Sequence, residues 1–171
     1  MIDTNVSQLL KSPLGTTRKY DVDEQVNIGE ETPHVRGEVT LLKTNRGILV
    51  TGRLETDIEL TCSRCLSLFR QPVTLEIEEE YFPTIDILTG TAVSVPEDDP
   101  GAFTIDQNNI IDLTEAIRQY ALLAIPMKPL CREDCAGLCP TCGTNLNVKS
   151  CSCPPVVDPR LEKLRGLVAD K

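Results

Sequence analysis

The chain has 171 residues, enough for one domain or a domain with a small appendage, and 40% of them are apolar, enough for a core. Its formal charge of −9 repels phosphate backbones and argues against general nucleic-acid binding over most of the surface. The charge is uneven: residues 71–117 hold eleven acids and no Lys or Arg, whereas residues 128–171 hold seven basic residues against five acids. The acidic stretch reads as a solvated face rather than a dock for basic partners, so any RNA contact must use the C-terminal segment or a local patch.

The amino-terminal MIDTNVSQLLKS has no basic n-region and no apolar h-region, and no run approaches a membrane span, so we expect a cytoplasmic protein. Val35, Val39 and Leu41 alternate with polar residues, Asn45-Arg46-Gly47 supplies a turn, and alternation is clearest from Ile48 to Leu60. Val73, Leu75, Ile77 and Tyr81 form a third alternating run. These runs predict an antiparallel β meander with one wet face, needing cover on the other. The CSRC at Cys62 and Cys65 falls at the tip between two strands, where a tight turn aims both sulfurs one way.

Residues 83–101 read as a mobile polar excursion punctuated by Pro and Gly. A helix follows, with Asp112 as cap and Glu115 completing a capping box. Leu113, Ile117, Tyr120, Ala121 and Ala124 share its apolar stripe, and Pro126 and Pro129 end it. It is the expected cover for the sheet. A short terminal helix is predicted from Asp158-Pro159, with Leu161, Leu164 and Val168 on one face. The fold class is therefore α+β: a meander covered by a helix, over residues 1–128, then a cysteine-rich segment with a short terminal helix over 129–171.

Eight cysteines carry the chemistry. A reducing compartment turns them from disulfides towards metal or redox roles, and eight thiols divide into two four-cysteine sites. CPTCG at 139–143 is the most specific motif: a Cys-x2-Cys turn chelates one ion, backbone N–H groups point back at sulfur, and the following Gly tolerates left-handed backbone. Asn145 and Asn147 suit the turn after it. The spacing favours Cys139, Cys142, Cys151 and Cys153 around one zinc, with Cys62, Cys65, Cys131 and Cys135 around a second. The division of Cys131, Cys135, Cys139 and Cys142 from Cys62, Cys65, Cys151 and Cys153 stays open. An iron–sulfur or dithiol redox protein is the rival class, since four thiolates also suit iron and CPTC has the form of a redox dithiol. The only histidine, His34, lies beside a proline and reads as a surface residue. With no P-loop, dinucleotide fingerprint or nucleophile elbow, and closed four-thiolate sites, no catalytic residue is expected.

ELTCSRCLSLF at 59–69, DLTEAIRQYALLAIPMKPLC at 112–131, GLCPTCGTNLN at 137–147 and CSCPPVVDPRLEKLRGL at 151–167 together resemble the bacterial YceD family of large ribosomal RNA subunit accumulation proteins. The resemblance runs from about residue 35 to the end. It implies a non-enzymatic cytoplasmic factor of ribosome biogenesis, acting on a large-subunit precursor or its RNA and proteins, with the matched cysteines as metal ligands. A basic patch at Arg160, Lys163 and Arg165 is the expected place for contact with RNA or a partner; a solvated helix face explains the same residues equally well.

Overall fold

Strand β4 (Ile48–Thr61) realises the alternation that announced it: Ile48, Val50, Leu54, Thr56 and Ile58 are buried while Arg53, Glu55, Asp57 and Glu59 are exposed. In this computed structural model, residues 2–29, 31–93, 101–154 and 160 are described. The chain divides into two compact units. One comprises Met1–Leu60 and Arg70–Met127; the other comprises Thr61–Phe69 and Lys128–Lys171.

The elements run β1 (Asp3–Asn5), α1 (Ser7–Leu10), β2 (Thr17–Gln25), β3 (His34–Lys43), β4, β5 (Leu68–Pro83), β6 (Phe103–Ile105), β7 (Ile110–Asp112) and α2 (Thr114–Ala124), all in the first unit except Thr61 of β4 and Leu68 and Phe69 of β5. The main sheet has the order β2-β3-β4-β5-β6. β2 pairs antiparallel with β3, and β3 with β4, but β6 runs parallel to β5, setting Tyr81 opposite Phe103. The sheet is thus mixed rather than the purely antiparallel meander expected. A second, two-stranded sheet pairs β1 antiparallel with β7.

One cluster of buried side chains fills this unit, drawing Val22 from β2, Val35, Val39 and Leu41 from β3, Val50 and Leu54 from β4, and Leu75 and Tyr81 from β5. Ile117 and Ala121 of α2 belong to the same cluster, and the Tyr120 hydroxyl donates to the Glu78 carbonyl of β5 (3.1 Å). The Tyr81 hydroxyl likewise donates to the Asp112 carbonyl (3.2 Å). Gly47 in the β3–β4 turn is required by close approach, because a Cβ there would overlap the Tyr81 carbonyl oxygen.

The capping box does not form. The Asp112 carboxylate accepts from the Thr114 N–H (2.8 Å), but Glu115 is taken by Arg118 (2.6 and 2.8 Å) and Gln119 (2.9 Å). This bidentate pairing is charge-assisted and outcompetes a reach back to the helix start; it also holds the Glu115 carboxyl down at about 2, through Arg118 first and Gln119 second. The buried face of α2 includes Ala116, which the stripe omits, whereas Ala124 is exposed at the helix end. Within the excursion, Ile85 bridges Ala92, and the Asp86 carboxylate accepts from the N–H groups of Leu88 and Thr89 (both 2.8 Å). The rest of it, residues 94–100, lies outside the described residues, as does the predicted terminal helix apart from Arg160. Among the described residues no helix is long and apolar enough to cross a membrane.

Candidate metal centres

All eight cysteines belong to the second unit, and all eight are free thiols. Their sulfurs fall into two sets, Cys62 with Cys65, Cys131 and Cys135, and Cys139 with Cys142, Cys151 and Cys153; within each set all sulfurs lie within 4.8 Å of one another. Of the two divisions the spacing allows, the geometry adopts the one in which Cys131 and Cys135 join Cys62 and Cys65.

Each set is built on a turn of the same design. In CSRCLS the Cys62 N–H donates to the Ser67 carbonyl (2.9 Å) and the Leu66 N–H to the Cys62 carbonyl (3.0 Å). In CPTCGT the Cys139 N–H donates to the Thr144 carbonyl (2.8 Å) and the Gly143 N–H to the Cys139 carbonyl (2.9 Å). The residue after the second cysteine is left-handed in both: Leu66 at φ 57° and Gly143 at φ 72°. The pattern Cys-x-x-Cys-x-Ser/Thr is the sequence signal for this repeat, and the hydroxyl residue is the part that cysteine counting passes over.

The turns also aim donors at sulfur. The Cys62 thiol is held down at about 6, chiefly by the Cys131 N–H and, against the opposing effect of burial, by the N–H groups of Cys65 and Arg64. Cys139 is likewise held at about 6 by the N–H groups of Cys142 and Thr141. The Ser67 hydroxyl and N–H lower Cys65, and the Thr144 hydroxyl and N–H lower Cys142, whose Sγ lies 3.1 Å from Thr144 Oγ1. Three others, Cys131, Cys151 and Cys153, are driven the other way. Cys131 is pushed up to about 12 by burial and then by Cys65, Cys135 and Cys62; Cys153 reaches about 12 through Cys142 first, then burial. Four thiolates crowd one another, so without a cation some of them keep their protons.

A divalent ion would take the place of those protons, and the donor sets fit one. A tetrahedral zinc with sulfur at about 2.3 Å places its ligands about 3.8 Å apart. Cys62 and Cys135 sulfurs are 3.8 Å apart, and those of Cys65 and Cys131 are 3.6 Å apart. The two sets differ in exposure. Cys62, Cys65 and Cys135 are buried with Phe69, Leu130 and Leu138 packed against them, whereas in the other set Cys142 is exposed and only Cys139 is buried.

Three residues outside the cysteines hold the first set in shape. Arg64 donates to the carbonyls of Cys135 (3.0 Å) and Glu133 (3.4 Å), so its role is to fix the 131–135 loop. Asn147 Nδ2 donates to the Cys135 sulfur (3.3 Å), while its Oδ1 accepts from the Ala136 N–H (2.8 Å) and from Arg132 (2.6 Å). Asn145 donates to the Ser67 hydroxyl (3.2 Å). Asn145 and Asn147 were legible only as turn residues; here they connect the second cysteine turn to the ligands of the first set.

Elsewhere, an open polar groove of about 600 Å3 on the first unit is lined by His34, Arg36, Glu55, Thr56, Asp57 and neighbours on β5. Both nitrogens of His34 are occupied: Nε2 lies 3.0 Å from Asp23 and Nδ1 accepts from Arg36 (3.1 Å). Of the basic trio, Arg160 is described, whereas Lys163 and Arg165 lie outside the described residues.

Fold and site together define a two-unit protein in which a mixed-sheet unit is joined to a cysteine-built unit with two four-thiol sets able to hold metal ions. Over residues 50–168 the chain matches the family of the large ribosomal RNA subunit accumulation protein YceD, and it belongs to that family. It is 35% identical over 121 residues to an uncharacterized protein of Mycobacterium tuberculosis, covering 70% of this chain and 55% of the relative. It is also similar to the large ribosomal RNA subunit accumulation protein YCED homolog 1, chloroplastic, of Arabidopsis thaliana, at 27% identity over 89% of this chain and 52% of that protein. The Zea mays protein of the same description is 41% identical over 58 residues, 33% of this chain and 20% of its own. The chain therefore spans about half the length of the mycobacterial and Arabidopsis relatives. No solved structure matches it.

Proposed function

We propose that the protein is a non-enzymatic cytoplasmic factor of ribosome biogenesis that supports accumulation of large-subunit ribosomal RNA, with two zinc ions as structural elements. The single observation that carries this is the family match, which takes in all eight cysteines. In this reading Cys62, Cys65, Cys131 and Cys135 hold one ion and Cys139, Cys142, Cys151 and Cys153 the other. All ligand positions are then filled by protein, as in structural rather than catalytic zinc sites. Helix α2 serves as the cover of the sheet, and the α+β body and the cysteine-rich part act as separate modules.

The partner is a precursor of the large ribosomal subunit, met through protein contacts or through a local patch at Arg160, Lys163 and Arg165. Charge favours a local contact over a broad one. The second unit holds eight basic and five acidic residues, but each zinc with four thiolates carries two net negative charges, which cancels that surplus.

The test is deletion and complementation in the source organism, reading the ratio of large- to small-subunit ribosomal RNA. Deletion lowers the ratio; the intact chain restores it, and a chain with Cys62→Ser and Cys135→Ser does not. An unchanged ratio on deletion removes the ribosomal reading. Elemental analysis of anaerobically purified protein checks the metal separately, with two zinc per chain expected and iron as the overturning result.

A further inference from the structure

Strand β2 is the longer of the two edge strands of the main sheet, nine residues against three in β6, and apart from the half-buried Tyr20 and the buried Val22 it is exposed throughout. The Lys43 N–H donates to the Thr16 carbonyl and the Val26 N–H to the Pro33 carbonyl, which places the even-numbered residues in hydrogen-bonded register with β3. The N–H and C=O groups of Thr17, Lys19, Asp21, Asp23 and Gln25 therefore point away from the sheet. Among the described residues none of them meets another strand.

Edge strands commonly carry charge to block pairing. The order of charges on β2 does the opposite for one partner. We propose that β2 is a self-complementary edge through which two copies of this chain pair antiparallel, joining their main sheets into one. The two-fold axis falls at Asp21. Lys19 then lies opposite Asp23 of the second copy, Arg18 opposite Glu24, Tyr20 opposite Val22 and Thr17 opposite Gln25, each pair occurring twice.

Backbone parity allows only shifts of two residues in the pair sum, and the neighbouring registers are worse. One sets Asp21 against Asp23; the other pairs Lys19 with Asp21 but sets Arg18 against Val22 and Glu24 against Thr16, losing both Arg18–Glu24 pairs. The groups have capacity left for the second copy. Asp23 meets His34 and Arg36 through Oδ1, and Lys19 spends one of three hydrogens on Glu38 (2.7 Å). The one mismatch is Asp21 facing its own copy, with Lys19 and Asp23 of the other strand on its two diagonals, which weakens the pairing.

A single edge buries less surface than a standard interface, so the dimer is weak, with a dissociation constant on the order of 100 μM. Sedimentation velocity of the full chain from about 10 to 500 μM reads it. A concentration-dependent dimer is expected, loosened at least tenfold by Lys19→Asp or Asp23→Lys. Mixing those two variants in equal amounts restores it, because each then faces its opposite charge. Asp21→Asn tightens the dimer several-fold, a gain that misfolding does not mimic. A monomer across the whole range, or a dimer indifferent to all three substitutions, overturns the proposal.

Discussion

Replacing Asn147 by Ala tests whether the first cysteine set is a metal centre supported from a distance in sequence. The side chain donates to the Cys135 sulfur (3.3 Å) and accepts from the Ala136 N–H (2.8 Å) and Arg132 (2.6 Å). A hydrogen bond to a charged sulfur contributes about 1.5–3 kcal/mol, and loss of such supporting contacts weakens metal binding about 10–100-fold. Asn147→Asp keeps the acceptor but turns an oxygen towards the thiolate, so it weakens binding further. Competition against a chromophoric chelator, titrated for both ions, is the assay. One of two ions is lost about 10–100-fold more readily in Asn147→Ala, more so in Asn147→Asp, and the other is held as before. Two ions released at unaltered chelator concentrations in both variants would refute the reasoning, because the bond to Cys135 would then contribute nothing to the centre.

Leu66→Gly relieves a left-handed backbone at φ 57° that a Leu side chain tolerates poorly. The relief of about 1–2 kcal/mol exceeds the added chain entropy of about 0.5–1 kcal/mol, so denaturation of the metal-loaded protein should show a net gain of about 0.5 kcal/mol. Gly143→Leu should lose stability in the same assay. Chelation of both ions should strip hydrogen-exchange protection from residues 62–69 and 131–153 and leave β3 and β4 protected, since the first unit has its own core; protection that survives chelation would contradict a structural metal. The Tyr81 phenol is pushed up by burial first and then by Asp112 and Glu79. Its folded value lies above the unfolded one, so its contribution is intact below about pH 10 and lost as pH rises beyond. The urea midpoint of wild type should therefore fall more steeply above about pH 10 than that of Tyr81→Phe, and parallel alkaline slopes would sink the assignment.

The parts of the fold that could be read from sequence are those where burial imposes a period. β4 and β5 alternate because one face of each is buried and the other exposed, and α2 shows its stripe through Leu113, Ile117 and Ala121. β2 escaped because an edge strand buries little: in TRKYDVDEQ only Val22 is buried, and no period can emerge from one residue. β6 and β7 are three residues each, too short for any pattern. At the site, cysteine spacing carried the close pairs and favoured one division, but left a second open until the sulfurs were placed in space. The supporting role of Asn147, a turn residue in the sequence, was not legible, since its partner Cys135 lies twelve residues earlier and the role exists only once the two cysteine turns are brought together.

The cysteine-built unit is discontinuous in the chain, and synthesis runs in one direction. Cys62 leaves the ribosome 73 residues ahead of Cys135, while Cys139 leads Cys153 by only 14. At about 5–20 residues per second, the first pair waits about 4–15 s for its last ligand, whereas the second set assembles in about 1–3 s. The earliest thiols made are thus without their partners for longest. Until the 131–135 loop is made, Cys62 and Cys65 stand as an open two-sulfur turn whose two partner thiols do not yet exist.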